Sequence, residues 1–141
     1  MNLTTRQMRE LRELIRRKPN CPQRLGTAEC FILNFVSFEA NSRRICHYYR
    51  CRKASKSESR GPILIDQLEK ALAFYEVTFP RENLDKLLNS KLKKRGGKSA
   101  RNLRNEIFHR WCKSDCAEVT KRFEEFSALF QNFEVSLLSI L

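Results

Sequence analysis

Thr27–Arg50, TAECFILNFVSFEANSRRICHYYR, is the stretch whose reading decides the fold. Phe31, Phe35, Phe38 and Ser42 recur at intervals of three or four, with Ile32, Val36 and Ala40 broadening the stripe. Apolar residues at that interval mark one face of a helix, and a broad stripe marks a central one. The last third of the stretch turns basic. Nothing in the chain alternates at period two for long enough to form a sheet.

Working outward, an N-terminal helix over Thr4–Arg17 carries Leu3, Met8, Leu11, Leu14 and Ile15, and Pro19, Pro22 and Gly26 break it. After the central helix, Lys53–Gly61 is polar and reads as a surface loop. Pro62 opens a third helix, Ile63–Val77, with Ile65, Leu68, Leu72 and Tyr75 inward. Thr78 and Pro80 restart a short helix through Leu84, Leu87, Leu88 and Leu92. Lys93–Ser99 is a second loop with two glycines. Ser99 or Ala100 opens a fifth helix ending near Lys113, and Ser114 or Asp115 caps a final one. Val119, Phe123, Phe126, Phe130, Phe133 and Leu137 run along that last helix, and its aromatics offer a dimer interface. The expectation is an all-α, up-and-down-like bundle of about five to six helices.

With 141 residues, 41% of them hydrophobic, the chain builds one core without staples. No apolar run approaches the roughly 20 residues that span a bilayer, so a membrane protein is excluded. The N-terminal stretch lacks the apolar block of a secretory signal, which points to the cytoplasm. Cys21, Cys30, Cys46, Cys51, Cys112 and Cys116 are then expected to be reduced thiols. His109, Cys112 and Cys116 share a helical face, and Cys46, His47 and Cys51 form a looser group. Neither contains a Cys-x2-Cys knuckle, so no metal and no cofactor is expected.

Lys plus Arg number 28 against 16 Asp plus Glu, a formal net charge of +12, which favours a polyanionic partner. Lys91, Lys93, Lys94, Arg95, Lys98 and Arg101 lead without an acid into Arg104. Arg43 and Arg44 belong to a second basic cluster near Tyr48 and Tyr49, and Arg110 follows His109. A phosphate backbone is the natural ligand of such runs, with aromatic surface for unpaired bases. The N-terminal helix adds Arg6, Arg9, Arg12, Arg16, Arg17 and Lys18; contact with RNA, with the bundle or with a protein all suit it.

The segment Leu103–His109, LRNEIFH, carries the most chemistry. Arg104 and His109 have four residues between them, and Asn105 follows the arginine. At about 100° per residue, Leu103, Ile107 and Trp111 span roughly 80°, a core stripe, while Asn105 and His109 share another face. Arg104 and His109 lie about 140° apart, so one helix does not pair them closely.

This pattern resembles the signature of the HEPN superfamily, helical-bundle domains found in many ribonucleases, in which Arg is followed after four to six residues by His, usually with Asn, Asp or His next to the Arg. CFILNFVSFEA, with Phe38-Glu39-Ala40, is similar to the first long core helix of several such families. The resemblance covers about residues 27–141, leaving residues 1–20 as an extra N-terminal helix packed on or flanking the domain. It implies a homodimer whose two signatures meet in one composite cleft, with Arg104, Asn105 and His109 catalytic. Metal-independent internal cleavage of RNA is the implied activity, in a toxin or host-defence setting with a protein antitoxin or regulator. His supplies proton transfer near neutral pH and Arg a rigid fork of donors to phosphate. The toxin half of nucleotidyltransferase-linked HEPN pairs usually continues His-x-Tyr; Trp111 stands there instead and has no hydroxyl to modify. The alternative is a non-catalytic module of the same shape that binds RNA or a protein through the basic cleft.

Overall fold

Six phenylalanines interlock at the centre of the molecule. Phe31, Phe35 and Phe38 come from α2 (Thr27–Arg50), and Phe126, Phe130 and Phe133 from α7 (Phe123–Leu138). Ring centroids lie 5.3 Å apart for Phe31–Phe126, 5.7 Å for Phe38–Phe130 and 4.8 Å for Phe38–Phe133. Such tilted and edge-to-face pairs contribute about 0.5–1.5 kcal/mol each beyond the area they bury. The aromatics of the last helix therefore face the core, and the expected dimer surface made from them is corrected.

The computed structural model describes residues 2–18, 26–51, 61–94, 96–110 and 113–141, apart from the side chains of Arg110 and Ser114. The described residues form helices and no strands. Besides α2 and α7 these are α1 (Thr5–Arg16), α3 (Ile65–Phe74), α4 (Arg81–Leu88), α5 (Ala100–Arg110) and α6 (Lys113–Lys121). Around α2 pack α1, α3, α5, α6 and α7, and one apolar cluster runs through all of them. No helix among the described residues is long and apolar enough to cross a membrane. The loop expected at Lys53–Gly61 lies, except for Gly61, outside the described residues.

Among the described residues seven helices replace the five to six expected, because the final helix breaks at Arg122. Its backbone sits at φ −106°, ψ 14°, while its N–H closes α6 on the Glu118 carbonyl and its own carbonyl opens α7 at Phe126. The side chain explains the break. It is nearly buried, donates to the Lys98 carbonyl at 2.6 Å and to Glu118 at 3.2 Å, and lies 4.4 Å over the Phe126 ring. Those contacts draw the residue towards the 93–99 loop and off the straight helical path.

Local chemistry sets the other ends. Thr4 and Gln7 form a reciprocal capping box on α1. Pro62 stays outside α3, and Leu92 outside α4, which stops at Leu88. The end of α3 is a Schellman turn: Val77 N–H reaches the Leu72 carbonyl at 2.8 Å and Glu76 N–H the Ala73 carbonyl at 3.1 Å. Glu76 therefore occupies the left-handed position, at φ 59°, that glycine normally takes.

Docking of α1 mixes apolar and polar contacts. Leu3, Leu11 and Ile15 are buried, and the Tyr48 hydroxyl donates to Glu10 at 2.7 Å. That hydrogen bond is the main reason the Glu10 carboxyl sits below its ordinary pKa; nearby Arg6 and Arg44 add to the effect.

Two stability changes follow. Glu76→Gly should raise stability by up to about 1 kcal/mol, read as a higher urea midpoint, because the left-handed penalty exceeds the entropy glycine adds to the unfolded chain. A carboxyl depressed in the folded state contributes stability above its unfolded pKa and loses it as pH falls through the folded value. The stability curve should therefore drop below about pH 4.5, the ordinary glutamate value here, and Glu10→Gln should flatten that drop in acid titrations followed by circular dichroism.

Candidate functional site

The α5 helix is aimed by its own sequence. Ser99 precedes it, and its hydroxyl accepts the Asn102 N–H at 3.2 Å. Leu103 and Ile107 are fully buried, which fixes the rotation of the helix and turns Arg104, Asn105 and His109 away from the core. Asn102 anchors the preceding loop through its side-chain amide, which donates to the Ser90 and Leu92 carbonyls at 2.9 and 3.0 Å. Its side chain had no part in the sequence motif.

Arg104 is the best-held member of the motif. Its guanidinium donates to Glu39 on α2 at 3.1 Å and stacks 4.9 Å over Phe35, with the Phe108 ring 5.9 Å away. The side chain keeps 25% of its surface exposed, and its Nε is buried without a hydrogen-bond partner among the described residues. Asn105 is half-buried and His109 exposed, and neither side chain makes a hydrogen bond to a described residue. Phe108, 59% exposed, leaves apolar surface beside the arginine.

Glu39 is the hub of a wider cluster. Arg43, one turn along α2, lies 3.8 Å from the same carboxylate, and its charge also acts on Arg101. Two guanidinia thus meet one carboxylate, and a third, that of Arg101, feels its charge. Two of them are also fastened to the backbone that enters α3, Arg43 on the Gly61 carbonyl and Arg101 on the Ile63 carbonyl. Burial is the largest influence on Arg101, and it pulls the guanidinium below its ordinary pKa.

The remaining basic residues separate. Lys91, Lys93 and Lys94 are exposed, as expected of phosphate ligands. Lys98 is half-buried between Glu106 at 2.7 Å and Asp115 at 3.1 Å, and the first of these bonds chiefly raises its pKa. Arg44 faces α1, 3.7 Å from Glu10. Arg95 and the side chain of Arg110 lie outside the described residues.

The 93–99 loop is pinned to α6 by Lys98, by Arg122 and by the Gly96 N–H on Glu118 at 2.8 Å. Gly96 holds φ 81°, a conformation open to glycine alone at little cost. An open groove of about 790 Å³ runs between this loop and α6, lined by Lys93, Lys98, Lys121, Asp115 and Glu118. Arg104, Asn105 and His109 do not line it.

The cysteines divide by depth. Cys30 and Cys46 are buried, and desolvation pushes the Cys46 thiol up to about 11. Cys51 lies 3.5 Å from His47 Nδ1. Among the described residues no group of three His, Cys, Asp or Glu side chains converges to hold a metal ion; Cys112 lies outside them.

Compared with known protein families, characterised proteins and solved structures, the chain matches none. The chemistry of the site must be argued from its own residues. Arg104 offers donors to an oxyanion, His109 an imidazole open to solvent, and Asn105 an amide between them in sequence.

Lys98→Met removes the cation beside Asp115, a carboxylate only 2% exposed. The expected loss is about 2 kcal/mol in urea denaturation, below the range for a fully buried pair because Lys98 retains solvent contact. A change under about 0.5 kcal/mol would mean that the lysine is a solvated surface cation.

Proposed function

We propose that this protein is a metal-independent endoribonuclease that cleaves RNA by attack of the ribose 2′-OH, with one composite active site across a homodimer. The observation that carries the reading is the polar face of α5. Arg104 is oriented by Glu39 and Phe35, while the side chains of Asn105 and His109 are uncommitted among the described residues. The resemblance to the HEPN signature supplies the assignment of roles.

In the proposed reaction, one imidazole takes the 2′ proton as the 2′ oxygen attacks phosphorus. The P–O5′ bond breaks, and a second imidazole delivers a proton to O5′. The products are a 2′,3′-cyclic phosphate and a 5′-OH, with no net proton consumed. One His109 from each protomer fills the two roles, which a single chain does not. Arg104 stabilises charge on the phosphate oxygens, and Asn105 orients the imidazole or the phosphate. The exposed Phe108 beside Arg104 favours a second copy there, since burying it would draw the two signatures together. RNA would reach the cleft from the exposed Lys91, Lys93 and Lys94. DNA is refused because it lacks the nucleophile. A toxin or host-defence role in the cytoplasm, under a protein antitoxin or regulator, belongs to the same proposal.

One observation favours a second reading. An arginine paired with a carboxylate and stacked on a core phenylalanine is also what a structural arginine looks like. A non-catalytic module binding RNA or a protein partner would keep that pair and make no use of His109.

Labelled single-stranded RNA incubated in EDTA with wild-type and His109→Ala protein separates the two. The wild type should leave cyclic phosphate ends, and the variant should cut at least about a hundredfold more slowly. Equal rates would remove His109 from the chemistry and the enzyme reading with it.

A further inference from the structure

The outer face of α1 has no role in the site just described. Arg9, Arg12 and Arg16 fall within an arc of about 60° at 3.6 residues per turn, with Arg6 one turn before. All four are exposed. Arg9 and Arg12 form no ion pair with any described residue, and Arg16 meets only Glu13 on its own helix, at 3.0 Å. Glu10, the other acid of α1, accepts from Tyr48 through one carboxylate oxygen and pairs with Arg6 through the other, at 3.0 Å, which leaves Arg9, Arg12 and Arg16 as the ridge. What remains is a ridge of guanidinia about 10 Å long from Arg9 to Arg16.

We propose that α1 is a rigid docking ridge for the phosphate backbone of single-stranded RNA. The inference rests on RNA as the ligand in the reading above, but not on cleavage. Three observations select this partner. First, the ridge is preformed: Leu3, Leu11 and Ile15 are buried, Tyr48 holds Glu10, and Lys18 meets Glu134 of α7 at 3.2 Å. Because the apolar face of α1 is consumed by the core, the helix has nothing to insert into a lipid surface. Second, the exposed face consists of Thr5, the arginines and Glu13, which is spent on Arg16, with no apolar residue. A protein partner would need an apolar or aromatic anchor at the centre of its footprint, whereas a phosphate backbone needs only charge and donors. Third, every cation of the ridge is an arginine, whose planar fork matches a phosphate better than an ammonium does.

The position of the ridge also restricts the ligand. Arg44 and Tyr48, which face α1, lie about 140–180° around α2 from Glu39, which faces Arg104. The ridge and the α5 site are therefore on opposite sides of a helix about 10–12 Å thick, and one RNA must wrap the molecule to touch both.

The test is the salt dependence of binding of a long single-stranded 2′-O-methyl RNA, which keeps the phosphates but has no 2′-OH to attack, to the full chain, measured by fluorescence anisotropy. Three variants are compared with the wild type: Arg9→Gln/Arg12→Gln/Arg16→Gln, the charge-matched Lys70→Gln/Lys86→Gln/Lys121→Gln, and Arg9→Lys/Arg12→Lys/Arg16→Lys. For single strands each lost phosphate contact lowers the log–log slope by about 0.7, so the arginine-to-glutamine variant should lose about 2 from the slope. Extrapolated from 1 M salt, that is roughly a fifty-fold weaker affinity at 0.15 M. The lysine variant should restore the slope, and the charge-matched control should retain it. An unchanged slope in the glutamine variant, or an equal loss in the control, overturns the ridge. So does a wild type that ignores RNA yet binds polyglutamate or anionic vesicles through these arginines. Because binding is read and not cleavage, a protein without ribonuclease activity still passes or fails this test.

Discussion

The α2–α7 seam of phenylalanines is the constraint on which the rest depends. Phe31, Phe35 and Phe38 are presented by one face of a long helix, and Phe126, Phe130 and Phe133 by a helix from the far end of the chain. Their interlocking fixes the rotation of α2. Once α2 is fixed, Glu39 must face α5, and Arg44 and Tyr48 must face α1. Phe35 shows the coupling most directly, since one face of the core meets Phe130 and its ring also carries the Arg104 guanidinium.

A chain with a net charge of +12 has to house its cations before it can use them. Some are consumed by the fold. Arg122 bends the chain between α6 and α7, Lys98 ties a loop to α5 and α6, and Arg43 and Arg101 fasten the segment leading into α3. Others stay in solvent, chiefly Lys91, Lys93 and Lys94 in the loop and the arginines of α1. The division follows exposure and acid partners. A cation beside a buried carboxylate or carbonyl is held by low-dielectric attraction, and one that projects from a surface helix is screened and open to an external anion.

The α5 site joins both kinds. Arg104 is half committed, with one donor on Glu39 and a stacked ring beneath it, and that arrangement orients the guanidinium without removing it from solvent. Among the described residues the side chains of His109 and Asn105 have no partner, which is what proton transfer and ligand contact require. Glu39 sets the orientation, and it entered the sequence comparison only as a residue following an aromatic.

By itself the sequence determined the helices, most of the inward stripes and the Arg104–His109 spacing, because these depend on residues three or four apart that one helix brings together; Val36, read into the α2 stripe, is instead 50% exposed. It also placed the loop at Lys93–Ser99, through its two glycines and missing apolar residues. The helix break at Arg122 was not legible, since its cause is a carbonyl 24 residues away in sequence. Nor was the identity of the structural cations: Lys98, Arg101 and Arg43 read like any other basic residue until distant carbonyls and carboxylates came within reach. Tertiary structure alone decided that the C-terminal phenylalanines face inward and that α1 presents its arginines on the side of α2 opposite Arg104. Both outcomes depend on which helix meets which, a choice made by packing across the whole chain and not by any local run of residues.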